Sequence, residues 1–203
     1  MPKMVDPDQR RRDLAHATWR VIRREGVEHA SVRTVAREAG LSAGSLRHYF
    51  GSQTELLAFA MATVMERVEH RVAAVPRPDD PLVAAKAVLA ELLPLDDERA
   101  AENEVWLAFT ARALADGRLR ELRDEAYDRL QAGCAAWIAR LLPDAGAAEH
   151  ELESERLFAL VDGLAVHAAL RPASATPARL AAVLDHHLEQ VVRCAGSPGF
   201  AGD

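Results

Sequence analysis

The stretch from Ser31 to Phe50, SVRTVAREAGLSAGSLRHYF, constrains this chain more than any other part of it. Val35, Ala36 and Ala39 recur at helical spacing, and Leu46, Tyr49 and Phe50 repeat that spacing after a break. The pattern predicts one helix from about Val32 to Ala39, a turn through Gly40 and Leu41, and a second helix over about 42–50. Gly40 stands where the first helix must stop and reverse, a position that often needs the positive φ only glycine adopts without strain. Ser31 and Ser42 stand where N-caps belong, with hydroxyls placed to satisfy orphan amides. Two short helices joined by a tight turn are the geometry that carries a helix into the DNA major groove. Apolar spacing by itself would also fit any helical hairpin in an all-α domain.

A chain of 203 residues makes one large domain or two small ones, and 49% apolar residues suffice for a substantial core. No uncharged apolar run approaches the roughly 18 residues a membrane-spanning helix requires. The opening MPKMVDPDQRRRD has no apolar stretch behind its charges, so it does not read as a signal peptide. Cys134 and Cys194 are the only cysteines, with no CxxC spacing; a reduced cytoplasmic protein is the expectation. Net charge is −6, but it is unevenly spread: residues 1–50 hold ten Lys/Arg against six Asp/Glu, and the remainder hold fifteen against twenty-five. A basic head on an acidic body suggests that only the head meets phosphate.

The chain reads as all-α, with about nine helices. Asp6 and Pro7 suit the N-cap and first position of the first helix, whose stripe is Leu14, Ala17, Val21 and Ile22 and whose stop is Gly26. Ser52-Gln53-Thr54-Glu55 forms a capping box for a fourth helix running to about Val75, before Pro76 to Pro81 breaks it. Further helices are predicted near 81–93, 102–116, 118–142, 148–171 and 177–194, with a frayed tail GSPGFAGD. The boundary expected is a helix-turn-helix domain over 1–52 and a helical body over 53–203, with 53–75 as the linking helix.

The string resembles the TetR family of transcriptional regulators. The residues that carry the resemblance are Val35-Ala36, Ala39-Gly40-Leu41-Ser42, Gly44, Leu46, Tyr49-Phe50 and Glu55-Leu56-Leu57. The match spans about residues 10–60. The later runs LLPLDDERAAENEVWLAFTARALAD and LVDGLAVHAAL resemble bodies of the betaine-regulator-like branch. The resemblance implies a dimeric regulator that reads a palindromic or near-palindromic double-stranded operator. It implies a repressor released by a small molecule of unknown identity, with no cofactor.

On this reading Ala43, Gly44, Ser45 and Arg47 lie nearest the bases, and Arg47 can bond bidentately to a guanine edge. Arg33 is the second candidate for base contact. Thr34, His48 and Tyr49 suit phosphate oxygens. Ser52 and Gln53, with the free amides that open the fourth helix, can clamp another phosphate. Two positions depart from the family: Gln53 replaces a usual lysine, and Arg47 replaces a common aromatic. Arg10, Arg11 and Arg12 fit either a phosphate-contacting arm or an ordinary charged helix start.

In the body, Trp106, Phe109 and Arg112 share a helix face, and Tyr127, Cys134, Trp137 and Phe158 are other side chains suited to lining an effector cavity. Asp162 and His167 interrupt an otherwise apolar helix, where a buried carboxylate must be paired, hydrogen-bonded or useful. Aromatics at this spacing more often make a plain core, and His167 more often an ordinary interior histidine. Leu160 and Leu164 of that helix, with Leu180, Leu184, Leu188 and Val191 of the last, suit a four-helix interface between two copies. The alternative is that they fill the interior of a single chain. An enzyme is the main rival class, but GxSxG, HExxH, Walker and GxGxxG patterns are all missing. Asp185-His186-His187 makes a poor metal site, because adjacent residues on a helix point about 100° apart. A redox response through Cys134, or a DNA-binding dimer without a ligand, are the alternative regulators.

Overall fold

The computed structural model describes residues 7–195, and these form nine α-helices and one short 3-10 turn. The expected cap at Asp6 and the expected frayed tail lie outside the described residues. In order the helices are α1 (Pro7–Glu25), α2 (Val32–Glu38), α3 (Ala43–Arg47), α4 (Gln53–Ala74), α5 (Pro81–Ala90), α6 (Asp97–Ala113), α7 (Gly117–Leu141), α8 (Ala147–Leu170) and α9 (Pro177–Ala195). The 3-10 turn is Val27–His29.

Three helices differ from their expected extents for local reasons. α5 ends at Ala90 and not near 93, because the amides of Glu91, Leu92 and Leu93 make i→i−3 bonds to Val88, Leu89 and Ala90. α6 begins at Asp97 and not near 102, because the Asp96 carboxylate accepts the Arg99 amide at 2.8 Å and caps the helix there. α3 ends at Arg47 and not at Phe50. Its last amides tighten into i→i−3 bonds, His48 N to Ser45 O and Tyr49 N to Leu46 O, so His48 and Tyr49 form a turn. α5 starts as the Pro76–Pro81 break requires: Asp80 Oδ1 accepts the amides of Leu82 and Val83, and Pro81 stands in the first turn.

The described residues divide into two compact units. The first runs to Glu69 and includes Ala101–Glu125; the second is His70–Ala100 with Ala126 onward. α4, α6 and α7 contribute residues to both. The first unit is built on the α1 stripe. Leu14, Ala17, Val21 and Ile22 are buried with Val35, Leu46, Leu56, Phe109 and Leu119 in one cluster. Burying each of the larger aliphatic side chains stabilises by about 1.5–3 kcal/mol before entropy is counted. Polar groups inside this cluster find partners. The Thr18 hydroxyl donates to Leu14 O at 2.8 Å, and the Trp19 indole N–H donates to Ala60 O at 3.3 Å. The Arg67 guanidinium lies 5.3 Å from the Trp19 ring centroid, and its Nε meets Glu102 Oε1 at 2.5 Å.

In the second unit Leu89, Leu93, Ile138, Leu157, Leu180, Leu184 and Leu188 form the core. Lys86 Nζ on α5 bonds Glu189 Oε1 on α9 at 2.7 Å. The unit also contains His187, whose Nε2 is buried without a hydrogen-bond partner. Burial pulls this imidazole below its ordinary value of 6.5; Arg156 and His186 add to the effect and Glu153 opposes it. His16 in the first unit is lowered in the same way, by burial and then by Arg67 and Arg20. Between the lowered folded values and 6.5 the unfolded chain binds more protons, so stability rises with pH across that window. The melting temperature should therefore hold above about pH 6.5 and fall as pH drops below it. Replacing both histidines with glutamine should flatten that fall; an unchanged slope in the double variant would assign it to other groups.

Candidate nucleic-acid interface

Each turn residue between α1 and α4 has a structural cause. The Ser31 side chain accepts the Thr34 amide at 3.2 Å and caps α2, while the Ser42 side chain accepts the Ser45 amide at 3.0 Å and caps α3. Gly40 has φ +67°, and Leu41 N donates to Ala36 O at 2.8 Å, closing α2 with a left-handed residue. A side chain at Gly40 would meet open space but not an easy backbone, so conformation and not crowding requires glycine there.

Within this frame the predicted positions separate by burial. Val35, Ala36, Leu46 and Phe50 are buried and anchor the helix pair. Leu46 is the one buried residue of α3. Arg33, Gly44, Arg47, His48 and Tyr49 are exposed, and Thr34, Ala43, Ser45 and Gln53 are half-buried. Two of the polar candidates are already engaged: the Thr34 hydroxyl lies 2.9 Å from Ser31 Oγ, and Gln53 Nε2 donates to Val27 O at 3.2 Å. The Ser52 hydroxyl accepts the Glu55 amide at 3.1 Å, and Glu55 Oε2 accepts the Gly51 amide at 2.8 Å. The capping box thus closes one residue upstream of its usual partner.

Charge pairing sorts the arginines of the head. On α1, Arg20 meets Glu38 at 2.7 Å, Arg24 meets Glu38 at 3.0 Å, and Arg23 meets Glu104 at 2.8 Å. Arg33, Arg37 and Arg47 on α2 and α3 are exposed and form no ion pair among the described residues. Arg37 was not among the positions the sequence singled out. Its signal was present, since it lies four residues after Arg33 and shares that helix face.

The effector candidates fall in both units. In the first, Phe109 is buried in the core, and its ring stacks with Trp106 at 6.4 Å between centroids; Arg112 is half-buried. In the second, the Tyr127 hydroxyl donates to Asp162 Oδ1 at 3.3 Å, and the Tyr127 and Phe158 rings meet edge-on at 5.7 Å. Cys134 and Trp137 belong to the buried core. Burial alone pushes the Cys134 thiol up to about 12, so it is protonated and unreactive near neutral pH. His167 is exposed and not interior, on a groove of about 450 Å³ that Leu160, Gly163 and Val183 also line.

Most of the residues expected to pair two copies are covered within one chain. Leu180, Leu184, Leu188 and Val191 are buried within a single chain, and Leu164 with them. They fill its interior because α9 turns its apolar stripe inward against α5 and α8. Of that set Leu160 alone is half-buried, and Leu170 is the apolar residue that α8 leaves most open, at 72% exposure. No group of three His, Cys, Asp or Glu among the described residues is arranged to hold a metal ion. No helix among them is long and apolar enough to cross a membrane.

A capped, glycine-turned helix pair with an exposed arginine edge defines a helix-turn-helix nucleic-acid reader. The chain belongs to the TetR family of transcriptional regulators. Residues 14–59 match bacterial regulatory proteins of the tetR family, and residues 81–193 match the C-terminal part of BetI-type transcriptional repressors. The chain is 43% identical over 195 residues to the HTH-type transcriptional regulator PksA of Bacillus subtilis (strain 168), covering 94% of each. It is 31% identical to the HTH-type transcriptional regulator BetI of Serratia proteamaculans (strain 568), covering 93% of this chain and 95% of that one. A crystal structure of a transcriptional regulator from Rhodococcus sp. Rha1 superposes with a TM-score of 0.81 at 35% identity, covering 91% of this chain and 96% of that one.

Proposed function

We propose that the chain is a homodimeric repressor that reads a near-palindromic operator and leaves it when a small molecule binds the body. The observation that carries the reading is the set of exposed, unpaired arginines on α2 and α3, beside Arg20, Arg23 and Arg24 of α1, which glutamates hold. An arginine without an internal partner loses no ion pair when it meets a phosphate or a guanine edge. Arg47 is assigned to base contact, and Arg33 to base or phosphate. His48, Tyr49 and Arg37 are assigned to phosphate, with Ala43, Gly44 and Ser45 closest to the base edges.

Gly44 keeps that edge low: a Cβ there would have only Ser42 Oγ near it, at 3.8 Å, so its lack of a side chain leaves room for DNA and fills no internal need. Replacing Arg47 with alanine should cost about 1–3 kcal/mol in operator binding and relax the preference at one base pair. Titrations against the DNA flanking its own gene and against a random duplex measure both effects. Equal losses on the two duplexes would reduce Arg47 to a phosphate contact.

Pairing is assigned to the open face of α8 and α9, around Leu160, Gly163, His167, Leu170 and Val183. A single helix-turn-helix makes few base contacts, and two-fold pairing doubles them at fixed spacing. The effector is assigned to the body. Tyr127, Phe158 and Asp162, now seen to touch, form its best polar-and-aromatic constellation, and a carboxylate beside aromatic rings suits a positively charged small molecule. Release by a factor of about 100 requires that the effector prefer the DNA-incompetent state by roughly 2.7 kcal/mol. A catalytic role gains no support from any constellation described above. The redox alternative loses its basis in the protonated, buried thiol of Cys134. Action on operator DNA places the protein in the cytoplasm.

A further inference from the structure

The turn between α6 and α7 is bonded to the first turn of α4. Asp116 uses both carboxylate oxygens there. Oδ1 accepts the amides of Arg118 and Leu119 at 3.1 and 3.3 Å, capping α7. Oδ2 accepts the hydroxyl of Thr54 at 2.7 Å. A second bond runs beside the first: Arg118 Nη1 lies 3.5 Å from Glu55 Oε1, while the other oxygen of Glu55 holds the Gly51 amide. Gly51 and Ser52 are the residues through which the chain passes from the reading helix into α4. One continuous set of polar contacts therefore runs from the N-terminus of α7, through Thr54 and Glu55, to the joint behind α3.

We propose that Thr54, Glu55, Asp116 and Arg118 are positioning residues for DNA recognition, a latch that sets where the joint and the free amides of α4 stand when the head meets its operator. The proposal rests on the head being a DNA reader. It needs no contact between these side chains and DNA. All four are already engaged, and the Thr54 hydroxyl is spent on Asp116. A latch of this kind couples in both directions: if it sets the joint for DNA, bound DNA must stabilise the latch by the same factor. The cap of α7 then becomes a place where operator binding is felt, and α7 is also the helix that carries Tyr127. The depressed carboxyl of Asp116, for which the Thr54 hydroxyl is the first cause and the two capping amides are lesser ones, gives a readout of the bond independent of DNA.

The test compares the wild type, Thr54→Val, which keeps shape and removes the hydroxyl, and Thr54→Ser, which restores it. Operator and random duplexes are titrated, and amide exchange of Arg118 and Leu119 is followed with and without the duplex flanking its own gene. Losing one positioning hydrogen bond should weaken operator binding roughly fivefold in Thr54→Val and leave the random duplex unchanged. Operator-induced protection of the two amides should vanish in that variant, and Thr54→Ser should recover both. In the free protein, the Asp116 carboxyl should titrate at higher pH in Thr54→Val than in the wild type. Equal operator affinity and equal protection in all three proteins would overturn the latch while leaving the DNA-reading assignment intact. A lower melting temperature with an unchanged operator-to-random ratio would make Thr54 merely structural and would also overturn it. A wild type that does not discriminate operator from random duplex would overturn the reading itself and the latch with it.

Discussion

Replacing Arg67 with alanine should destabilise the protein by about 3–5 kcal/mol, because it takes from the buried Glu102 carboxylate the guanidinium that meets it. The side chain of Glu102 is only 4% exposed, and Arg67 Nε meets it at 2.5 Å while its guanidinium covers Trp19. Both α1 and α6 lose a contact to α4 in that variant, one aromatic and one ionic. For a chain of this length the melting temperature should fall by roughly 10 °C. The control is to replace both partners with apolar residues of similar volume, Arg67→Met with Glu102→Leu, since a buried pair exchanged as a whole is often neutral. Recovery of most of the lost stability in the double variant identifies the buried carboxylate deprived of Arg67 as the cause. A loss below about 1 kcal/mol in Arg67→Ala would show that the pair behaves as a solvated surface contact.

Leu46→Ala should act on function and stability together. α3 is five residues long, too short to hold a helical form on its own, and Leu46 is its one buried residue. Removing that side chain should cost about 2–5 kcal/mol and release the reading helix from the cluster that orients it. Operator affinity should fall further than for Arg47→Ala, and it should fall at every base position instead of one. Leu46→Met, which nearly conserves volume, should cost less than about 1.5 kcal/mol and retain the operator. Operator binding that survives Leu46→Ala unchanged would mean that α3 is held by something other than its core anchor.

Much of the fold was legible because its signals are local. Gly40 forecast a left-handed turn, Ser31, Ser42 and Ser52 forecast caps, and Pro76 to Pro81 forecast a break, each for a reason contained within a few residues. The sequence left a choice open where it depends on distant partners. Leu180, Leu184, Leu188 and Val191 make one apolar stripe, and a stripe does not say whether another copy or the same chain covers it; α5 and α8 do. His167 suited either a cavity wall or an ordinary interior place, and it is exposed on α8. Asp96 was passed over as a cap because the acidic run DDERAAE offers several candidates, and only the placed amide of Arg99 distinguishes them. The helix pair was legible in its scaffold, and Arg33 and Arg47 stand exposed on it. The site was illegible wherever pairing decides availability: that Arg20, Arg23 and Arg24 are held by glutamates and Arg37 is not follows from which helices meet. The same holds for Gln53. Its departure from the family's lysine was visible, but its bond to Val27 was not.

The central claim is that the head reads a specific duplex as a pair. The most direct test is to titrate the wild type against the DNA flanking its own gene, with a random duplex as competitor, across a series of salt concentrations and with the bound stoichiometry measured. Two chains per site, a steep linear fall of log K with log salt, and retained preference for the flanking DNA over the random duplex are expected. Equal affinity for both duplexes at low salt, or a single chain saturating the site, would contradict the claim.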